Sequence, residues 1–251
     1  MAEYTEPPKR MTLRRRGIYL LPNLFTTGVL FSGFYAIVRA MDGLYEQAAV
    51  AVFVALVLDG LDGRVARLTR TQSEFGAQYD SLADMVAFGA APALIMYEWA
   101  LQPMGRIGWI AAFIHCAAVA LRLARFNTNI GVVDKSWFQG LPSPSGAALV
   151  AGFVWIALDL GYTEMTQPLR ILAAVVTVFA GVTMVSSVPF YSFKTINFRR
   201  AVPFYAVLLV VLALAVVSYQ PPAVLAAVFI AYSLSGYVMW LWNFRKKRSP
   251  F

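Results

Sequence analysis

The chain has 251 residues, of which 59% are hydrophobic and 14% charged, and a formal net charge of +8. So high a ratio of apolar to charged residues excludes an ordinary water-soluble domain and makes a lipid bilayer the expected solvent. A single cysteine, Cys116, excludes an intramolecular disulfide framework. The basic residues gather at the ends of apolar runs, a pattern of membrane topology and anionic lipid contact that excludes nucleic acid as the expected partner.

In chain order, a polar N-terminal segment, residues 1–17, carries Lys9, Arg10, Arg14, Arg15 and Arg16 and precedes an apolar run over 18–40. That run can cross a bilayer, which takes roughly 20 residues. It is long for a signal-peptide core and lacks a small-x-small cleavage site, so a retained first helix is expected. The second run, 48–58, crosses only if it is extended through a charged stretch to Arg67. A turn around 69–75 then leads into a third helix from about Gly76 to Leu101. Further spans are expected over 107–124, 145–161, 171–188, 202–219 and 223–243, followed by a basic tail, 244–251. The expected fold is all-α: a polytopic membrane bundle of about eight transmembrane helices forming one domain, 1–251.

Placing the N-terminus in the cytoplasm puts 18 of the 21 Lys and Arg residues on that side, leaving only Arg39, Arg106 and Arg170 outside. A wrong helix count would scatter these charges, so the split favours eight crossings with both termini cytoplasmic. Gly63, Ala66 and Gly76 are small enough for close helix approach. Tyr19, Trp99, Trp109, Trp240 and Trp242 near helix ends suit interfacial belts, as do Trp137 and Phe138 in a loop.

The charged stretch from Asp59 to Asp84 holds the chemistry. Asp59 and Asp62 stand three residues apart, and Asp80 and Asp84 four apart, so each pair shares one helical face. Antiparallel packing of helices two and three would bring all four carboxylates together. Bare anions cannot share such a site, because repulsion and lost hydration disfavour their charged forms. Two hard divalent cations, Mg or Mn, would balance them and leave coordination positions for phosphate oxygens. A salt-bridged face of Asp and Arg is the plainer alternative. Ionisable residues at membrane depth nevertheless face a bundle interior or a wet cavity by default.

The full pattern, DxxDGxxAR, eight residues, then GxxxDxxxD, runs through Asp59, Asp62, Gly63, Ala66, Arg67, Gly76, Asp80 and Asp84. It resembles the signature of the CDP-alcohol phosphatidyltransferases at every fixed position. The resemblance implies a two-metal phosphoryl transfer with all four aspartates as ligands and Asp84 as general base. It implies a CDP-diacylglycerol site at Gly63, Arg67 and Ser73, with Pro22 and Asn23 of the first helix close by, and a homodimer. Arg67 suits a phosphate partner because a guanidinium offers anionic oxygens a bidentate fork.

Three further segments, RLARFN (122–127), GLPSPSG (140–146) and SVPFYSFK (187–194), look like the phosphatidylserine synthase branch of that family. This likeness implies that L-serine attacks CDP-diacylglycerol to give phosphatidylserine and CMP. It also implies a bacterial cytoplasmic membrane, with the active site facing the cytoplasm. A zwitterionic serine needs a cation for its carboxylate and acceptors for its ammonium. Arg122, Arg125, Asn127 and Lys194 are the candidates, with Arg125 expected to pair the carboxylate, although each also suits a positive-inside anchor.

Other acceptors for the same chemistry are glycerol 3-phosphate, inositol phosphate and choline. A cation channel or transporter is the alternative of a different class, but it would spread acids through the full membrane depth. His115, the single histidine, cannot build a histidine metal site and is expected to be a hydrogen-bonded bundle residue. Glu98 and Asp159 fall at outer helix ends and take no role.

Overall fold

The helices follow from long apolar runs punctuated by glycine, proline and short polar turns. The computed structural model describes residues 13–69, 73–128, 137–162, 166–191 and 204–245. Helix α1 spans Leu13–Met41 and α2 spans Tyr45–Thr69, joined by a tight turn at Gly43. Helix α3, Glu74–Asp84, continues into a π-helical turn, Met85–Ala90, then α4, Ala91–Met96, a second π-helical turn, Tyr97–Leu101, and a 3-10 turn, Gln102–Met104. Helices α5, Arg106–Thr128, α6, Ser143–Asp159, α7, Gln167–Val185, α8, Phe204–Tyr219, and α9, Pro221–Arg245, complete the series.

The protein is thus an all-α membrane protein. Among the described residues, four helical segments are long and apolar enough to cross a bilayer: Pro22–Met41, Arg106–Thr128, Gln167–Val185 and Pro221–Trp242. The other expected spans fall short for identifiable reasons. Helix α2 carries the charged motif, the third helix changes its winding along its length, and α6 and α8 have 17 and 16 residues. The first helix also begins earlier than the apolar run, at Leu13, because the arginines ahead of it are good helix formers. Residues 1–12 of the polar segment and the tail beyond Arg245 lie outside the described residues.

Helix α6 forms the middle of the bundle. Every residue from Gly146 to Gly152 is buried, and α6 packs against α2, α4, α7 and α9. Small side chains make such packing possible where no hydrophobic force drives helices together. Two approaches are backbone to backbone: a Cβ on Gly33 of α1 would lie 2.6 Å from the Ala87 Cα, and one on Gly181 of α7 would lie 3.2 Å from the His115 Cα. The motif glycines do not serve this purpose. An added Cβ on Gly63 would meet only the Arg67 guanidinium, and one on Gly76 would meet the Ser73 and Asn23 side chains, so the expectation of backbone approach there is corrected. Nothing is described for the Ala66 side chain.

Two short strands were not expected. Strand β1, Trp137–Gln139, between α5 and α6, pairs antiparallel with β2, Pro189–Tyr191, after α7. Gly140 makes the turn possible: its φ is +76°, its N–H donates to Val188 O at 2.9 Å, and a Cβ there would collide with the Met184 carbonyl. The buried Phe190 ring fills the space over Gly236, and the Tyr232 hydroxyl donates to Tyr191 O at 3.1 Å, so α9 is fastened to this ladder. Phe138, half-buried against the cluster of Leu141, Met184 and Phe190, is a packing residue and not the belt residue expected. Nor is Trp99, which is buried and meets Phe153 edge to face, whereas Trp109, Trp240 and Trp242 are exposed as an interfacial belt requires. Gly33→Ala places a methyl against the backbone of the π-helical turn. We expect it to destabilise the folded protein by about 1–3 kcal/mol, as overpacking does, read as a lowered Tm in detergent.

Candidate active site

Three elements converge on the acidic cluster. Helix α2 contributes Asp59 and Asp62, one turn apart on a face turned inward, and α3 contributes Asp80 and Asp84. Carboxylate oxygens of Asp59, Asp62 and Asp80 lie within 4.8 Å of one another. Asp62 and Asp84 are buried, while Asp59 and Asp80 are half-buried, so the cluster has a closed floor and an open edge. Asp84 interacts electrostatically with the other three aspartates and with Arg122.

The donor set fits divalent cations on two observations. Oxygens of three partly buried carboxylates lie within 4.8 Å of one another, where like charges repel, and Asp84 Oδ1 is buried with no hydrogen-bond partner among the described residues. A hard cation would relieve both, because it supplies positive charge and takes oxygen ligands.

Helix α1 closes one side. Thr26, buried on α1, sets its hydroxyl 3.2 Å from Asp62 Oδ2 and 3.1 Å from Pro22 O, tying the α1 backbone at Pro22 to the cluster. Asn23, one residue on, faces the start of α3: the position a Gly76 Cβ would take is 3.4 Å from Asn23 Oδ1 and 3.1 Å from Ser73 Oγ. Ser73 caps α3, its hydroxyl accepting the Gly76 N–H at 3.0 Å. Arg67 folds back over Gly63, its guanidinium nitrogens 3.8 and 4.0 Å from where a Cβ would sit. Asn23 and Ser73 thus meet at the start of α3, Arg67 lies over Gly63 beside Asp62, and Pro22 is linked to Asp62 through Thr26.

Of the acceptor candidates, Asn127 donates through Nδ2 to Ser81 Oγ at 3.0 Å, next to Asp80 on α3. Arg122 donates to Ser143 Oγ at 3.0 Å and lies 6.0 Å from the Phe138 ring centroid, within reach of Asp84's field. Arg125 is exposed and donates to Val185 O at 3.3 Å, answering a carbonyl at the end of α7. Lys194 lies outside the described residues. Thr26 and Ser81 were missed by sequence reasoning, and Ser143 entered it only within the segment GLPSPSG, with no role of its own. Only Thr26 carried a signal, its place four residues after Pro22 on one helical face, since the others depend on which helices meet.

The model of the CDP-alcohol phosphatidyltransferase family matches residues 19–185, two thirds of the chain, which takes in all four aspartates and every candidate site residue except Lys194. The chain belongs to the CDP-alcohol phosphatidyltransferases. Among relatives of this family, a Helicobacter pylori protein named CDP-diacylglycerol--serine O-phosphatidyltransferase is 38% identical over 224 residues, covering 89% of this chain and 92% of its own. A Mycobacterium leprae protein of the same name is 36% identical over 153 residues, 59% of this chain and 51% of its own. One from Saccharomyces cerevisiae, also so named, is 36% identical over 139 residues, half of each chain.

Removing one carboxylate leaves its neighbours the same site with one ligand fewer. Asp59→Asn, Asp62→Asn, Asp80→Asn and Asp84→Asn are each expected to cut phosphatidyltransferase activity at least a hundredfold while the protein stays folded. Mg or Mn is expected to raise the Tm of the wild type, and that rise should shrink or vanish in each variant. A full metal-induced rise in Asp62→Asn would contradict the assignment.

Proposed function

We propose that this chain transfers the phosphatidyl group of CDP-diacylglycerol to the hydroxyl of L-serine, releasing phosphatidylserine and CMP. The observation that carries the reading is the convergence of Asp59, Asp62 and Asp80, beside Asp84 and its unpartnered oxygen, in a chain 38% identical to a named serine phosphatidyltransferase over 92% of that protein. Two divalent cations, Mg or Mn, held by Asp59, Asp62, Asp80 and Asp84, would neutralise the pyrophosphate and stabilise charge on the departing CMP. The chain's residues do the rest. Arg67 pairs phosphate oxygens over Gly63, and Pro22, Asn23 and Ser73 line the cytidine diphosphate between α1 and the α3 cap. Asp84 takes the serine hydroxyl proton as the serine oxygen bonds to the phosphatidyl phosphorus and the bond to the CMP oxygen breaks.

The serine zwitterion draws on Arg122, Arg125, Asn127 and Lys194. Arg122 is taken ahead of Arg125 as the partner for the carboxylate because it shares the field of Asp84, both guanidiniums also donating within the fold, Arg122 to Ser143 Oγ and Arg125 to Val185 O. Arg122→Ala is expected to lower kcat/KM for serine roughly ten- to a hundred-fold, the scale of a lost hydrogen bond to a charged group, with the KM for CDP-diacylglycerol nearly unchanged. Arg122→Lys should recover part of the loss, lacking the planar fork. Offering the purified enzyme serine, glycerol 3-phosphate, inositol phosphate and choline with CDP-diacylglycerol, and identifying the lipid formed, tests the acceptor. A phosphatidyl product from another alcohol in preference to serine would overturn it.

The single domain, 1–251, would cross a bacterial cytoplasmic membrane eight times, with both termini and the active site on the cytoplasmic side, and would work as a homodimer. The hydrogen bonds at the helix ends support two opposed faces. Tyr45 at the start of α2 donates to Glu98 O, and Gln220 at the α8–α9 corner donates to Asp159 at the end of α6, all at the ends away from the aspartates. The charge split of 18 to 3 supports the orientation. Tags at both termini and within 128–137 should report the cytoplasm, and tags near Met41 and Thr163 the opposite side. A cytoplasmic tag at Thr163 would mean a span has been miscounted.

A further inference from the structure

Below the aspartates, on the far side of Asp84 from the open edge, lies a contact that the proposed chemistry does not use. Asp84 closes α3, and the next six residues wind as a π-helical turn in which the Ala91 N–H reaches back five residues to Val86 O. Pro92 follows, and having no N–H it cannot make the ordinary helical bond to Phe88 O. That carbonyl is met from another helix: His115 Nε2 of α5 lies 3.0 Å from it, both residues being wholly buried. A carbonyl only accepts, so the imidazole proton sits on Nε2. Nδ1 is then left buried with no partner among the described residues, a polar cost that packing alone does not explain.

Helix α5 runs antiparallel to the third helix, and one face of it carries His115, Val119 and Arg122, of which the first two touch Phe88 and Gly89 in the π-helical turn that follows Asp84. His115 meets Phe88 O, the Val119 Cβ lies 3.4 Å from where a Gly89 Cβ would stand, and Arg122 shares the field of Asp84. Spacings of four and seven residues keep these three side chains on one helical face, while Asp84 and Phe88 are four apart on theirs. The π-helical turn is gripped from both sides, by Gly33 of α1 against Ala87 and by α5, which is itself backed by Gly181 of α7 behind His115. Apolar contacts in such a stack tolerate sliding, whereas a single directional bond does not.

We propose that His115 is a positioning residue: its bond to the proline-freed carbonyl of Phe88 pins α5 against the third helix in the register that sets Arg122 opposite Asp84. This inference rests on the proposed role of Asp84. Without the pin, α5 can shift along the third helix, and Asp84 is presented to its cation and to the serine hydroxyl at the wrong height. The bond thus matters for where one carboxylate stands more than for whether the bundle folds.

His115→Leu keeps an apolar side chain of similar bulk and removes the donor, and His115→Gln keeps an N–H donor on a side chain of similar reach. His115→Met serves in place of Leu if the latter does not accumulate in the membrane. The apolar variant is expected to lose about tenfold in kcat with little change in the KM for CDP-diacylglycerol. The Mn concentration giving half of the metal-induced rise in Tm should increase severalfold, and His115→Gln should recover most of both. Pro92→Ala in the His115→Leu background offers Phe88 O a backbone donor again. It should restore thermal stability but not kcat, because it satisfies the carbonyl without holding α5. Recovery of full activity in that double variant would reduce His115 to a mere hydrogen-bond partner and overturn the proposal. So would unchanged kcat and Mn response in the apolar variant, or equal losses in the Gln and apolar variants. Activity retained in Asp84→Asn would instead sink the reading of Asp84, a result separable from any of these.

Discussion

Four carboxylates gathered in a partly buried cluster repel one another, and burial weakens the solvent screening that would relieve them. Asp59, Asp62 and Asp80 bring their oxygens within 4.8 Å, and Asp84 is buried beside them with one oxygen that no hydrogen bond among the described residues answers. Such an arrangement is relieved by protonation of some of its members or by positive charge that completes it. The surroundings can be understood as devices for holding this costly group in place. Thr26 bonds Asp62 from α1, Ser73 starts α3 where Asp80 and Asp84 can reach α2, and Arg122 lies on the side of Asp84.

The same constraint explains the uneven packing of the bundle. Around the aspartates the helices meet through small residues and through side-chain to backbone bonds, and α6 is buried along most of its length. Away from them, α8 presents an almost wholly apolar and exposed surface, with Leu208, Leu212 and Leu214 each more than half accessible, which a lipid phase accepts without cost. The family match ends at residue 185, before α8 begins. Precision is concentrated where charge is buried, and the periphery needs only to be apolar and long enough.

The ladder of β1 and β2 joins the two halves of this design. It links the segment before α6 to the segment after α7, and through Phe190 and Tyr232 it reaches α9. Phe138 of this ladder lies by Arg122, and Ser143, just past the turn at Gly140, takes that guanidinium's hydrogen bond. The loops on the active-site side are therefore organised around a cation that faces the carboxylates.

Reading the chain alone was enough for its solvent, its helical class and its chemistry. Apolar runs long enough for a bilayer, basic residues at their ends, and aspartates at spacings of three and four are local patterns, and local patterns survive without a fold. The motif's carboxylates were legible for the same reason, since one helix turn carries each pair. What only the tertiary structure decided depends on which helix meets which. Trp99 looked like a belt residue until α6 brought Phe153 against it, and Gly63 and Gly76 looked like packing positions until the true backbone contacts fell at Gly33 and Gly181. Arg125 and Arg122 are three residues apart and alike in sequence, yet one turns to the end of α7 and the other towards Asp84, because the helix places them on different neighbours. The two strands and the bond from His115 to Phe88 lay beyond reach of the sequence, since both join segments far apart in the chain, and no periodicity within a helix records the partner a side chain will find across the bundle.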